Sequence, residues 1–313
     1  MLKQVVEKAF LRKLGETSNS LMGKKICVIG SSNIDQFSYV NKFPQEGETI
    51  IGESFKTGFG GKGANQAVMA GILGSDVYII SCLGNDIFAE STIVNFKKNK
   101  VNTEYIQRAD VSSGVAPIWV DSDGENKIVV IPGANNEINA EDAINSIKKI
   151  KNVSYVVGQA EIPMKVNDKV FQYSKSNNIL TIFNPAPGME LEDKFLDNVD
   201  WLIPNEYEFE IISGLKLSEE NILDFSSKIY SNLIVTLGKR GAFLVEDNNL
   251  IEFGAPTVEV ADTTGAGDAF VGTFVHGLSE NLTAKESIKL AIEKASSSVQ
   301  RKGTQSSYSS SSE

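Results

Sequence analysis

The residues best equipped for chemistry in this sequence are a carboxylate and a run of unobstructed backbone amides, in VEVADTTGAGDAFVGTFVHGL at 258–278. The pattern reads as a short alternating strand, a polar glycine-rich turn and an apolar helix starting near Ala266. Gly265, Ala266 and Gly267 carry little or no side chain, so a ligand can approach the backbone, and amides at a helix N-terminus make an anion site. Asp268 falls in the first turn, where the helix dipole favours negative charge. A carboxylate there can take a proton from a substrate hydroxyl while the amides hold charge developing on a transferring phosphoryl group. Read alone, the same residues also suit a plain helix cap with glycines for the turn.

Other chemistries lack their residues. The single histidine, His276, sits in the apolar run FVGTFVHGL and reads as structural, which removes a Ser-His-Asp triad and a histidine metal site. There is no C-x-x-C and no H-E-x-x-H, and Gly61-Lys62 is followed by Gly63 where a P-loop needs Ser or Thr. A second glycine-rich stretch, TGFGGKGANQAVMAGILG at 57–74, sets Gly58, Gly60 and Gly63 at the G-x-G-x-x-G spacing of dinucleotide sites. The preceding GESFKT is too polar for the buried first strand of such a unit, so an oxidoreductase is only the competing reading.

DTTGAGDAF resembles the signature of the ribokinase-type carbohydrate kinase family, and FGGKGANQA is similar to that family's other signature. GSSNID, after the first strand, resembles the family's sugar-binding turn, and the likeness runs from residue 24 to about 307. The resemblance implies that Asp268 is the catalytic base and that Gly265, Ala266 and Gly267 form the anion hole. It implies sugar contacts from Asn33, Asp35, Gly61, Lys62, Asn65, Glu161 and Asp268. On the nucleotide side it implies Asn184 in FNPAP, Asn205 and Glu208 in PNEYEFE, then Thr236, Gly238, Lys239, Arg240 and Gly241 in TLGKRGAF, with Gly267. Glu208 would also act on Mg²⁺, partly through water. A monovalent cation, K⁺, would be held by Asp262, Thr264, Ser298, Arg301, Gly303 and Ser307; Arg301 and Ser298 would use backbone carbonyls, since an arginine side chain accepts nothing. Glu293 and Lys294 stand where the family is rich in alanine, near an adenine pocket at Ile292. The implied reaction is ATP-dependent phosphorylation of a pentose, D-ribose at its 5-hydroxyl. Another sugar such as deoxyribose or fructose, or a non-catalytic sugar sensor, are the alternatives.

These residues need a scaffold, and the pattern supplies one. Short apolar runs at KKICVIG, 77–81, 153–157, 179–183, 199–203 and 233–237 alternate with amphipathic stretches, which predicts a mostly parallel sheet with helices on both faces, a three-layer α/β/α domain. Ligands then bind beyond the carboxyl ends of the strands. Segments 36–58 and 116–133 break the alternation and predict a small antiparallel β lid, the latter turning at Asp123-Gly124; a second hairpin is predicted at 241–256. Residues 1–22 read as an appendage, 23–307 as the catalytic domain and 308–313 as a flexible serine-rich tail. The resemblance implies a homodimer paired through the lids, and lid closure would exclude water.

The 313 residues carry a formal net charge of −10 without any long Lys/Arg block, which argues against nucleic acid or a membrane surface as partner. No run approaches the ~20 apolar residues of a membrane span. Cys27 and Cys82 lie in apolar strand-like runs and read as free buried thiols; with no signal-peptide pattern in residues 1–22, the reading is a cytoplasmic protein.

Overall fold

The computed structural model describes residues 24–309; the predicted appendage 1–22 lies outside them. A nine-stranded sheet runs in the order Asn249–Phe253, Ala242–Glu246, Asn232–Thr236, Trp201–Leu202, Leu180–Asn184, Val153–Gln159, Lys25–Ile29, Val77–Ile80, Val101–Asn102. All pairings are parallel except those of the predicted second hairpin, which adds two antiparallel strands at one edge. Its turn is made by Asp247 and Asn248, both at positive φ (50° and 62°), as a tight hairpin requires.

The near-continuous apolar strands follow from burial on both faces. In Lys25–Ile29, Ile26 and Val28 join one core cluster, and Cys27 and Ile29 join the other. The first cluster is closed by helices Lys62–Ile72, Ala266–Ser279 and Ala284–Ser298, through residues such as Val68, Phe274 and Ile288. The second is closed by helices that include Ala140–Lys149 and Met164–Ser176, and contains the aromatic group Phe171, Phe183 and Phe195. The predicted strand at 199–203 is only two residues long, Trp201–Leu202. Both cysteines are buried free thiols.

A four-stranded sheet stands off the main one, in the order Ser54–Gly60, Asn33–Tyr39, Gly114–Val120, Asn126–Ile128. Each outer pair is antiparallel, as the sequence suggested, but the two central strands run parallel, so the sheet as a whole is mixed. It begins earlier than 36, because Asn33 and Asp35 already pair with Gly60 and Gly58. GSSNID is therefore a strand entry, not a turn.

The tail boundary also moves. Tyr308 and Ser309 are buried, at 7% and 8% exposure, where a flexible tail was expected from 308. Tyr308 belongs to the first core cluster. Among the described residues no helix is long and apolar enough to cross a membrane.

Candidate active site

The two glycine-rich signatures meet although about two hundred residues separate them. Helix Lys62–Ile72 packs along helix Ala266–Ser279, and Gly272 makes the close approach: a Cβ there would lie 2.6 Å from the Gln66 carbonyl oxygen. The contact brings Asn65 and Gln66 against Asp268. Asn65 Nδ2 donates to one Asp268 carboxylate oxygen at 2.8 Å, and Gln66 Nε2 donates to the other at 3.1 Å. All three residues are buried, Gln66 completely.

These two amides are themselves held. Gln305 Nε2 donates to Asn65 Oδ1 at 2.9 Å, and Asn95 Nδ2 donates to Gln305 Oε1 at 2.7 Å. On the other side, Gln159 Nε2 donates to Gln66 Oε1 at 2.7 Å, while Gln66 Nε2 also reaches Asn184 Oδ1 at 3.2 Å. Both polar ends of Asn65 are thus committed to protein partners, and so are those of Asn184, whose Nδ2 donates to the Ile203 carbonyl. Asn65 braces the candidate base directly and Asn184 does so through Gln66, and each side-chain amide keeps a further N–H and lone pair.

Asp268 opens the helix at its exposed mouth. Gly265 is the N-cap in the left-handed region (φ 78°). By position, Gly267 N–H and Asp268 N–H have no intrahelical acceptor. A Cβ at Gly267 would meet nothing within 4 Å, so the space beside this turn is open.

The sugar-side candidates surround that mouth. Glu161 accepts from Ser31 Oγ at 2.5 Å and from the Lys62 backbone N–H at 2.9 Å, tying the strand-end segment to the first glycine turn. Asn33 Oδ1 accepts from Asn135 Nδ2 at 2.8 Å, and Asn135 Oδ1 accepts the Ser32 N–H at 2.9 Å. Asp35 is pushed up to about 7, first by burial and then by the nearby charges of Glu161 and Asp268. Lys62 is held above its ordinary value: burial lowers it, but Asp268, Glu161 and Glu208 outweigh that. Gly61 at φ 86° lets the chain turn, and a Cβ there would strike the Asn33 amide nitrogen at 2.8 Å.

The nucleotide-side candidates line the neighbouring strand ends. Asn205 and Glu208 form a capping box on helix Glu206–Ser213, each side chain accepting the other's backbone N–H at 2.8 Å. Glu208 is raised by burial, opposed by the Asn205 N–H and by Lys62. Thr236 takes the Pro204 carbonyl on its N–H and bridges to Asn205, and Arg240 pairs with Glu206 at 2.8 Å, joining this helix to the Gly238–Arg240 turn. Gly238 and Gly241 have positive φ. A Cβ on Gly241 would collide with the Phe253 carbonyl, beside a cleft lined by Phe253, Pro256, Ile292 and Glu293.

In the third group, Asp262 accepts the Thr264 N–H and the Gly303 N–H, each at 2.9 Å. Its carboxyl pKa lies below the ordinary range: burial raises it, but these bonds and Lys302 more than offset that. Ser298 and Arg301 share a turn through Arg301 N–H to Ser298 O, and Ser307 Oγ donates to the Thr304 carbonyl.

His276 sits in a structural contact: its Nδ1 faces Ser75 Oγ at 2.8 Å, and burial lowers its pKa. The dinucleotide spacing also dissolves, because Gly58 and Gly60 end a lid strand and are no part of the central parallel sheet. Sequence reading missed Gln66, Asn135, Gln159, Gln305 and Tyr308. Gln66 left the clearest trace, a polar residue buried in the otherwise small and apolar run AVMAG that follows it.

The chain is similar to known proteins along nearly all of its described length. The family model described as pfkB family carbohydrate kinase matches residues 23–311. Ribokinase of Lactococcus lactis is 41% identical over 284 residues, covering 90% of this chain and 92% of its own. Deoxyribokinase of Salmonella typhi is 38% identical over 290 residues, covering 90% of this chain and 95% of its own. Among solved structures, ribokinase of Arabidopsis thaliana complexed with ribose and ATP superposes with a TM-score of 0.86 at 29% identity, covering 92% of this chain and 96% of that one.

Proposed function

The chain belongs to the pfkB family of carbohydrate kinases, and on that premise we propose that it transfers the terminal phosphoryl group of ATP to the 5-hydroxyl of D-ribose, releasing ADP. The observation that carries the mechanism is the Asp268 carboxylate, braced on both oxygens by Asn65 and Gln66 beside the open space at Gly267. The relatives support the substrates, since the Arabidopsis enzyme is complexed with ribose and ATP.

In this reading Asn33, Asp35, Gly61, Lys62 and Glu161 hold the sugar so that its terminal hydroxyl points at Asp268. Each Asp268 oxygen keeps lone-pair capacity beyond its one amide donor, so it can accept the hydroxyl proton as the oxygen attacks phosphorus. The amides of the Gly265–Gly267 turn and of Asp268 then meet the negative charge on the phosphoryl oxygens. Lys62, partly buried, adds a positive charge to the same space. Thr236 and the Gly238–Gly241 turn, with Lys239 and Arg240, would carry the nucleotide's phosphates and ribose, beside the capping box of Asn205 and Glu208.

Both implied ions suit the residues present. Glu208 has one oxygen engaged in the capping box and another to offer, which suits Mg²⁺ approached through water. Mg²⁺ would neutralise charge on the ATP phosphates. Asp262, Thr264, Ser298, Arg301, Gly303 and Ser307 offer an oxygen-only donor set on a loop that Asp262 already ties together, as a K⁺ site needs.

We further read the protein as a cytoplasmic homodimer paired through the lid. Phe55, Trp119, Ile128, Val129 and Val130 expose between 45% and 62% of their surface on or next to that sheet, more apolar area than a free lid needs. Two buried free thiols suit a reducing compartment.

A coupled assay of ADP release over a panel of pentoses, hexoses and nucleosides, with and without K⁺, tests the reaction. Ribose should give the highest kcat/KM. A preference for deoxyribose would favour the activity of the Salmonella relative, and ADP release independent of any sugar would overturn the proposal. Light scattering should give twice the monomer mass.

A further inference from the structure

The last described turn, Gln305–Ser307 with Tyr308, reaches both halves of the reacting centre. Gln305 donates to Asn65, which donates to Asp268. Tyr308 crosses to the other half: its hydroxyl donates to the Gly265 carbonyl oxygen at 2.9 Å. That oxygen also accepts the Ala269 N–H at 2.8 Å, so both its lone pairs are used.

The Gly265 carbonyl and the Ala266 N–H, which donates to the Thr263 carbonyl at 3.3 Å, belong to one planar peptide. Fixing the oxygen from two directions therefore fixes that plane, and with it the planes of the Gly267 and Asp268 amides that follow along the turn. The site is closely walled. A Cβ on Gly265 would come within 2.5 Å of Thr304 Cγ2 and 2.9 Å of the Tyr308 hydroxyl, so Gly265 in its left-handed conformation fits only against these two side chains.

Resting on the kinase reading above, we propose that Tyr308 is a positioning residue for phosphoryl transfer: its hydroxyl locks the peptide plane at the head of the anion hole. It touches neither sugar nor ATP, and it acts on the transition state, where charge on the phosphoryl oxygens is greatest.

Tyr308→Phe keeps the buried ring and deletes only the donor. Its kcat should fall about tenfold, equivalent to about 1.4 kcal/mol of barrier, as loss of one alignment contact to an anion hole would produce. The KM values for sugar and ATP should stay within about twofold of wild type. Affinity for ADP with aluminium fluoride and ribose, measured by calorimetry, should fall by the same factor as kcat, whereas affinity for ADP alone should not change. Wild-type kcat and aluminium fluoride affinity in Tyr308→Phe would overturn the proposal, as would a fall in kcat matched by equal losses in sugar and ADP affinity. Asp268→Asn assayed alongside separates the two layers. If the wild-type protein releases no ADP with any sugar, the kinase reading itself fails; if Asp268→Asn is inactive while Tyr308→Phe behaves as wild type, only the role of Tyr308 fails.

Discussion

Two glycine-rich turns meet in this site, and Gly60 and Gly63 of the first serve an opposite physical purpose to Gly267 of the second. In the first turn the missing side chains make room for the protein. A Cβ at Gly60 would lie 2.4 Å from both Asp35 carboxylate oxygens, and one at Gly63 would lie 2.7 Å from the Gly30 Cα and the Ser31 nitrogen. In the second turn a Cβ at Gly267 would meet nothing within 4 Å. The first set of glycines lets the backbone of the cradle close on itself, and Gly267 leaves room for something that must arrive. A glycine signature in a sequence therefore does not say whether its space is already occupied.

The contrast can be tested from either side. The largest effect belongs to the second turn: Asp268→Asn should cut turnover by about 10²-fold or more, as for loss of a general base, with sugar affinity measured by calorimetry largely kept. Near-normal turnover would break the assignment of chemistry to that turn. Gly63→Ala should lower stability by about 2 kcal/mol, read as a reduced urea midpoint, because the added methyl meets backbone that cannot move aside. An unchanged midpoint would show that the first turn is looser than its contacts indicate.

Gly267→Ala should do the reverse. It replaces a helical glycine without collision, so stability should hold or rise by up to about 1 kcal/mol. Turnover should nonetheless fall about tenfold as the methyl enters the approach to the amides. Loss of stability with activity intact would erase the contrast between the turns.

A last test, of pH dependence, concerns the carboxylate against which the first turn is packed. Asp35 titrates at about 7 in the folded protein, against 3.8 for an ordinary aspartate. Between those values the folded state holds the proton and the unfolded state has lost it, so this group makes stability fall as pH rises, and the fall ends above about 7. Asp35→Asn should remove that component. The difference between variant and wild-type unfolding free energy should grow in the variant's favour from pH 4 to pH 7, then level. A difference that does not vary with pH would mean that Asp35 is better solvated than its burial implies.

Much of this site was legible before any fold was known. GAGD at 265–268 already read as a glycine turn with a carboxylate in the first helical turn, and the structure places the helix start at Ala266 with Asp268 in its first turn. The parallel sheet was legible from runs such as ICVI, whose residues alternate between two cores. What could not be read were partners set by tertiary contact. Asn65 and Asp268 lie 203 residues apart, and Gln305 and Asn65 lie 240 apart, so no local spacing links them. The lid's parallel central pairing was equally hidden, because hairpin signals report only neighbours along the chain.

Sequence by itself determined the order of elements, the two glycine turns and the residue types able to move a proton and hold an anion, since these depend on local backbone freedom and periodicity. Only the tertiary structure decided which polar groups serve one another. Asn65 bonds the candidate base, Asn184 bonds the Gln66 that also bonds it, and Tyr308 became part of the core. A buried amide or hydroxyl must find a partner wherever the packed chain supplies one.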